Sequence, residues 1–142
     1  FSQALFEAIT RAKNAGVLFL AAAGNSANDN DASPEYPASY QVDNVLSVAA
    51  IDPQGILADF SNYGKTSVHI AAPGVNILSY SVGGQQSWSG TSMACPHAAG
   101  VAALLLSQDP ALNYLAIKNR IMNSVRPLAN LRNRVSTGGL LN

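Results

Sequence analysis

The chain has 142 residues, enough for one domain that withdraws roughly 70% of its unfolded surface from water. Hydrophobic residues make up 48% and charged residues only 11%, well under the ~25% of an average domain, so elements covered on both faces are expected, as in a buried parallel sheet. The formal net charge is zero, no basic run occurs, and no apolar stretch reaches the ~18 residues of a membrane span, which argues against nucleic acid or a membrane as partner.

From Phe1 to Ala15, Leu5, Ile9 and Ala12 fall along one face with Phe6 beside them, predicting an amphipathic helix with a cationic last turn and a stop at Gly16. The chain opens inside this pattern, as a piece of a longer protein is expected to. Val17 to Ala23 is a continuous apolar run, the signature of a central parallel strand, and it ends at Gly24-Asn25. Sites in open α/β sheets form beyond the carboxyl ends of strands, where Asn25 falls. Ser26 to Tyr40 is a polar loop. Its Asn28-Asp29-Asn30-Asp31 run has the oxygen ligands that calcium takes but lacks the glycine and distal glutamate of an EF-hand, so a solvated turn is the favoured reading.

Val45 to Ala50 is a second buried strand, and Asp52-Pro53-Gln54-Gly55 a turn. Ile56 to Phe60 leads into a loop at Ser61-Asn62-Tyr63-Gly64. Ser67 to Ala72 is a third strand, closed by Pro73-Gly74. Val75 to Val82 is expected to pair with Gln85 to Ser89 across Gly83-Gly84. A helix from about Ser92 to Gln108 is apolar nearly all round and predicted to be buried, with Pro96 in its first turn. Asn113 caps a second helix to about Val125, and the remaining tail reads as irregular. The order of elements predicts an α/β, three-layer architecture with a mostly parallel sheet.

Gly90-Thr91-Ser92-Met93-Ala94-Cys95-Pro96-His97-Ala98-Ala99-Gly100 carries the chemistry. A serine between a glycine turn and a helix start has its own N–H and the orphan donors of the first helical turn aimed at whatever its oxygen attacks. Helix-capping is the structural alternative for such a serine. Its motif resembles the nucleophile segment of the subtilisin-like serine proteases. Ala21-Ala22-Ala23-Gly24-Asn25, Ala72-Pro73-Gly74 and the late Thr137-Gly138-Gly139-Leu140-Leu141-Asn142 follow the same family's order, so the likeness runs from Gly16 to Asn142.

The resemblance implies a subtilisin-like fold and an acyl-transfer mechanism with Ser92 as nucleophile and Asn25 as oxyanion-hole side chain. It implies a cis peptide at Tyr36-Pro37, a peptide or protein substrate, a prosegment as a further partner, and work outside the cytoplasm. Ala22, Ala23 and Gly24 would form one wall of the specificity pocket. Glu35 would lie near its floor, where a carboxylate favours Lys or Arg; an exposed loop glutamate is the alternative. Trp88 and Phe60 would flank the leaving group, with core packing as the alternative. The resemblance fixes no cofactor and leaves calcium as a candidate for the complete domain; members with a second cation site often carry an acid where His69 stands here, which counts against that site.

A serine hydroxyl needs a base. His97 follows Ser92 by five positions, about 140° round and ~7.5 Å along a helix, out of reach of the hydroxyl proton. His69 falls in a strand as a structural or surface residue, and no motif surrounds Asp43 or Asp59. The lone Cys95 has no disulfide partner in the chain and reads as a small buried filler. In the family the catalytic Asp and His precede the asparagine, so residues 1–142 are expected to be the C-terminal portion of a protease domain that needs its N-terminal portion. The alternatives are a non-catalytic or pseudoprotease module, and a self-contained hydrolase that lacks a visible base.

Overall fold

The computed structural model describes all 142 residues. The N-terminal pattern folds as α1, Gln3–Asn14, capped by Ser2, whose hydroxyl accepts from the Leu5 N–H. The first apolar run contributes a short strand, β1 (Phe19–Ala22), while Val17 stays half exposed before it. Strand β2 (Val45–Ile51) is buried at all seven positions, as the low charge content required. Strand β3 (Ile70–Pro73) pairs parallel to β2, with Val48 opposite Ile70, and β1 pairs parallel to β2 on its other side.

The hairpin forms from β4 (Ile77–Ser81) and β5 (Gly84–Trp88), antiparallel and separate from the main sheet. Its two-residue loop is Val82-Gly83, one position earlier than the glycine pair implied; Gly83 and Gly84 have φ of 101° and 111°, a region open chiefly to glycine. Helix α2 (Thr91–Gln108) and helix α3 (Tyr114–Asn123) follow; the Asn113 side chain caps α3 by accepting from the Ala116 N–H.

The tail is less irregular than its sequence implied. Arg126–Pro127 (β6) and Gly139–Leu140 (β7) extend the sheet to the order β1-β2-β3-β7-β6, with only β6 antiparallel. Strands of two residues have no period to read. Gly139 is needed there because a Cβ would stand 2.6 Å from that of Val125.

Three layers result. On one sheet face Leu46, Val48, Ala50, Ile70 and Ala72 pack against Ala94, Ala98 and Ala102 of α2 and Ile117 and Ile121 of α3. Full burial of a side chain such as Ile121 stabilises by about 1.5–3 kcal/mol. On the other face Ala49, Ile51 and Ala71 meet Leu131 and Val135, while Ile9 of α1 packs with Ala21 and Val45. No helix is long and apolar enough to cross a membrane.

Two features of α2 differ from expectation. Only one stripe is buried, Thr91, Ala94, Ala98 and Ala102, whereas Leu104 is 66% exposed and Ala99, Ala103 and Leu106 also face outward. Apolar composition set how much of the helix can be covered, but not what covers it. Pro96, the sixth residue of the helix, lies in its second turn; its missing N–H leaves the Ser92 carbonyl without an i+4 donor.

Candidate active site

Two strand ends hold the start of α2. At the end of β3, Gly74 accepts at its carbonyl from the Gly90 N–H (2.8 Å), which closes the base of the β4–β5 hairpin. A Cβ on Gly74 would lie 2.6 Å from the Ala50 Cβ and 2.8 Å from the Gly90 oxygen, so this junction closes only around glycine. At the end of β1, the Gly24 N–H donates to Thr91 Oγ1 (3.2 Å). Ser92, the second residue of α2, is exposed at the meeting point.

Asn25 lies beside it. Its Oδ1 accepts from the Thr91 N–H (2.8 Å) and from Thr91 Oγ1 (2.9 Å). A backbone N–H requires an acceptor, so the amide orientation is determined and Nδ2 is turned outward. A Cβ placed on Gly90 would lie 3.6 Å from Asn25 Nδ2 and 3.7 Å from the Ser92 nitrogen. Two nitrogens that carry N–H donors therefore lie near one small space beside the serine. Thr91, fully buried and named in the sequence motif without a role, orients the asparagine.

Beneath this corner a buried amide network fixes the loop after β1. Asn62 donates its backbone N–H to the Gly24 carbonyl (2.9 Å), and its Oδ1 accepts from the N–H groups of Ser26 (2.8 Å) and Asn28 (3.1 Å). Asn62 Nδ2 donates to Asn30 Oδ1, and Asn30 Nδ2 to the Ala23 carbonyl. In sequence Asn62 reads only as part of a loop, and Asn30 only as one of four polar residues in the 28–31 run. The bonds span up to 38 positions in the chain, and nothing local marks an asparagine as buried.

The Asn28–Asp31 run makes the expected turn, with Asp29 Oδ1 accepting from the Asp31 N–H (3.0 Å), and it also serves as a clasp. Asn30 is buried, and Asp31 accepts from the N–H and hydroxyl of both Thr66 and Ser67. Burial alone would raise the Asp31 pKa, but these donors outweigh it and bring it down to about 2. With its carboxylate engaged by four donors, the run does not fit a calcium ion.

The expected pocket residues divide. Ala22 and Gly24 remain partly accessible at the strand end. Ala23 does not join them: it is fully buried, its N–H donates to Val48 and its carbonyl accepts from Asn30, so it supports the wall from behind. Glu35 is exposed and reaches the same place, its Cγ 3.1 Å from where a Gly24 Cβ would be. Trp88 is half exposed and borders a hollow with Ile77, Tyr80 and Met93, next to Ser92. Phe60 packs against the α2-side core, away from a cleft role. The Tyr36-Pro37 peptide is cis.

Neither histidine pairs with Ser92. His97 Nδ1 lies 2.9 Å from the Met93 carbonyl and therefore carries its proton there. His69 is built into the sheet: its N–H donates to the Ser47 carbonyl and its Nδ1 accepts from the Ser47 N–H (2.9 Å). Burial, then the Lys118 charge, lowers its pKa to about 4, so it is neutral at neutral pH. Asp43 pairs with Lys13 (2.7 Å). Cys95 is half-buried against the core, and burial raises its thiol pKa.

A model of the subtilase family matches residues 1–138. The thermostable alkaline protease of Halalkalibacterium halodurans is 46% identical over 121 residues, which are 84% of this chain and 32% of that protein. Subtilisin DY of Bacillus licheniformis is 40% identical over 129 residues, 89% of this chain and 46% of that protein. The solved structure of a cold adapted subtilisin-like serine proteinase superimposes with a TM-score of 0.82 at 38% identity, covering all of this chain and 49% of that one. The chain thus spans about half or less of the length of these relatives. Fold, serine motif and family match agree, and the chain belongs to the subtilase family.

Proposed function

We propose that residues 1–142 are the C-terminal portion of the catalytic domain of a serine endopeptidase, with Ser92 as nucleophile and Asn25 as oxyanion-binding side chain. One observation carries this reading: Asn25 Nδ2 and the Ser92 N–H border the same space in front of Gly90. Ser92 Oγ adds to the carbonyl carbon of the scissile peptide, and the negative charge gathered on oxygen is received by those two donors. A base takes the Oγ proton and gives it to the amine nitrogen as the C–N bond breaks, leaving an acyl ester on Ser92 that water then hydrolyses. His69 and His97 are committed to Ser47 and Met93, so the base and its orienting acid are assigned to the N-terminal portion of the domain. The chain alone is then inactive, and the complete enzyme works on peptide or protein substrates outside the cytoplasm.

A fluorophosphonate probe applied to the complete protease and to this chain alone tests the assignment. Labelling of Ser92 only in the complete protein is expected. Labelling by the chain alone overturns the need for an outside base, and no labelling in either favours a non-catalytic module. Asn25→Ala in the complete enzyme is expected to lower kcat by ~10²–10³ with KM nearly unchanged, a magnitude taken from subtilisin, itself a member of this family.

Glu35, against Gly24, gives the pocket a preference for Lys or Arg at the residue before the cleaved bond. Peptide-library cleavage is expected to show that preference and to lose it in Glu35→Gln. Equal or better cleavage after Phe and Leu by the unaltered enzyme overturns it.

A further inference from the structure

Where the chain enters β2 and β3, beside α3, a polar cavity of about 330 Å³ is lined by Tyr40, Val42, Asp43, Thr66, Ser67, His69 and Lys118, among others. Three features make the pocket unfit for a metal ion. His69 Nδ1 is engaged by the Ser47 N–H, so the ring proton sits on Nε2 and the neutral imidazole has no lone pair left to ligate. The single carboxylate in the lining, Asp43, is paired with Lys13. Two carbonyl oxygens at this end of β2 are taken by an ammonium: Lys118 Nζ, from α3, donates to the Val45 carbonyl (2.6 Å) and the Asp43 carbonyl (3.1 Å). No group of three or more ligating side chains occurs elsewhere in the chain.

We infer that Lys118 is the resident cation of this pocket, a tethered ammonium that ties α3 to the entry of β2 and does there what a bound metal ion does for a carbonyl cluster. Backbone carbonyls that converge without donors repel one another, and a cation between them stabilises the turn that presents them. An ion must be captured from solution and is lost to chelators. The lysine arrives with the fold, and the helix that carries it is anchored by Ile117 and Ile121 in the core. Its positive charge also repels any metal ion approaching the same oxygens.

Thermal unfolding of the complete protease in choline, sodium, potassium or calcium chloride at matched ionic strength tests this. Lys118→Met is expected to lower the midpoint by several degrees in every salt, and Lys118→Arg to recover most of that loss. The double variant His69→Asp/Lys118→Met is expected to gain a stabilisation by metal salts over choline that exceeds the response of the unaltered protein. An unchanged midpoint for Lys118→Met in choline chloride overturns the inference. So does a metal response that Lys118→Met abolishes, or a double variant that gains none. The readout is unfolding, so its outcome is independent of whether Ser92 is labelled by the fluorophosphonate.

Discussion

Thr91 shows how much one buried hydroxyl can organise. Its Oγ1 accepts from the Gly24 N–H and donates to Asn25 Oδ1, while its own N–H also holds Asn25, so a single residue joins the end of β1 to the start of α2. Replacement by valine keeps the shape and removes both hydroxyl bonds. It leaves the Gly24 donor unsatisfied at a cost of about 1–3 kcal/mol, and it leaves the Asn25 amide held by the backbone N–H of residue 91 alone. In the complete enzyme Thr91→Val is expected to lower kcat by ~10-fold or more with KM little changed, while Thr91→Ser retains most activity; steady-state kinetics of the two variants checks both. The places of Ser92 at a helix start and Asn25 after a strand end were legible in sequence because both leave local marks. Thr91, Asn30 and Asn62 were not, because their roles consist of bonds between segments distant in the chain.

At the scale of elements, the site depends on loops that cannot drift. The loop after β1 is bound to the segment before β3 by Asp31, whose carboxylate receives the donors of Thr66 and Ser67. A carboxyl group held at about 2 in the folded chain, against 3.8 ordinarily, contributes stability that is fully present above pH ~4–5 and disappears as pH falls toward 2. Unfolding midpoints of the complete protease measured from pH 6 to pH 2 are expected to fall across this window, and Asp31→Asn to lower the neutral-pH midpoint while flattening the decline. A variant with the same acid slope as the unaltered protein removes Asp31 as its source. The strands and helices that position these loops were readable from period and punctuation, and their register follows from which face is apolar. The exceptions are instructive: β6 and β7 are too short to have a pattern, and Pro96 falls in the second turn whether the helix is counted from Thr91 or from Ser92.

Across the whole molecule, apolar surface is distributed unevenly. Val17, Leu18 and Leu20 meet Ala99, Ala103 and Leu106 of α2 in an open hollow of about 390 Å³ lined almost wholly by hydrophobic side chains. On the function proposed above, the N-terminal portion of the domain would cover this hollow; the relatives are two to three times the length of this chain. Sequence could say that this side is apolar, and it could not say that β1 ends the sheet.

That position of β1 has a consequence for how the main chain meets water. In a parallel ladder successive N–H groups point to opposite sides. The amides of Phe19 and Ala23 donate inward, to Asn44 and Val48, and by the same alternation those of Leu20 and Ala22 point to the vacant side. Four neighbouring peptide groups therefore form a graded clock for hydrogen exchange. In this chain alone Leu20 and Ala22 are expected to trade deuterium far faster than Phe19 and Ala23, and in the complete protease all four are expected to slow together. Equal rates in the isolated chain would falsify the open edge. The contrast allows the joining of the two portions of the domain to be timed at the backbone without any substrate being cut.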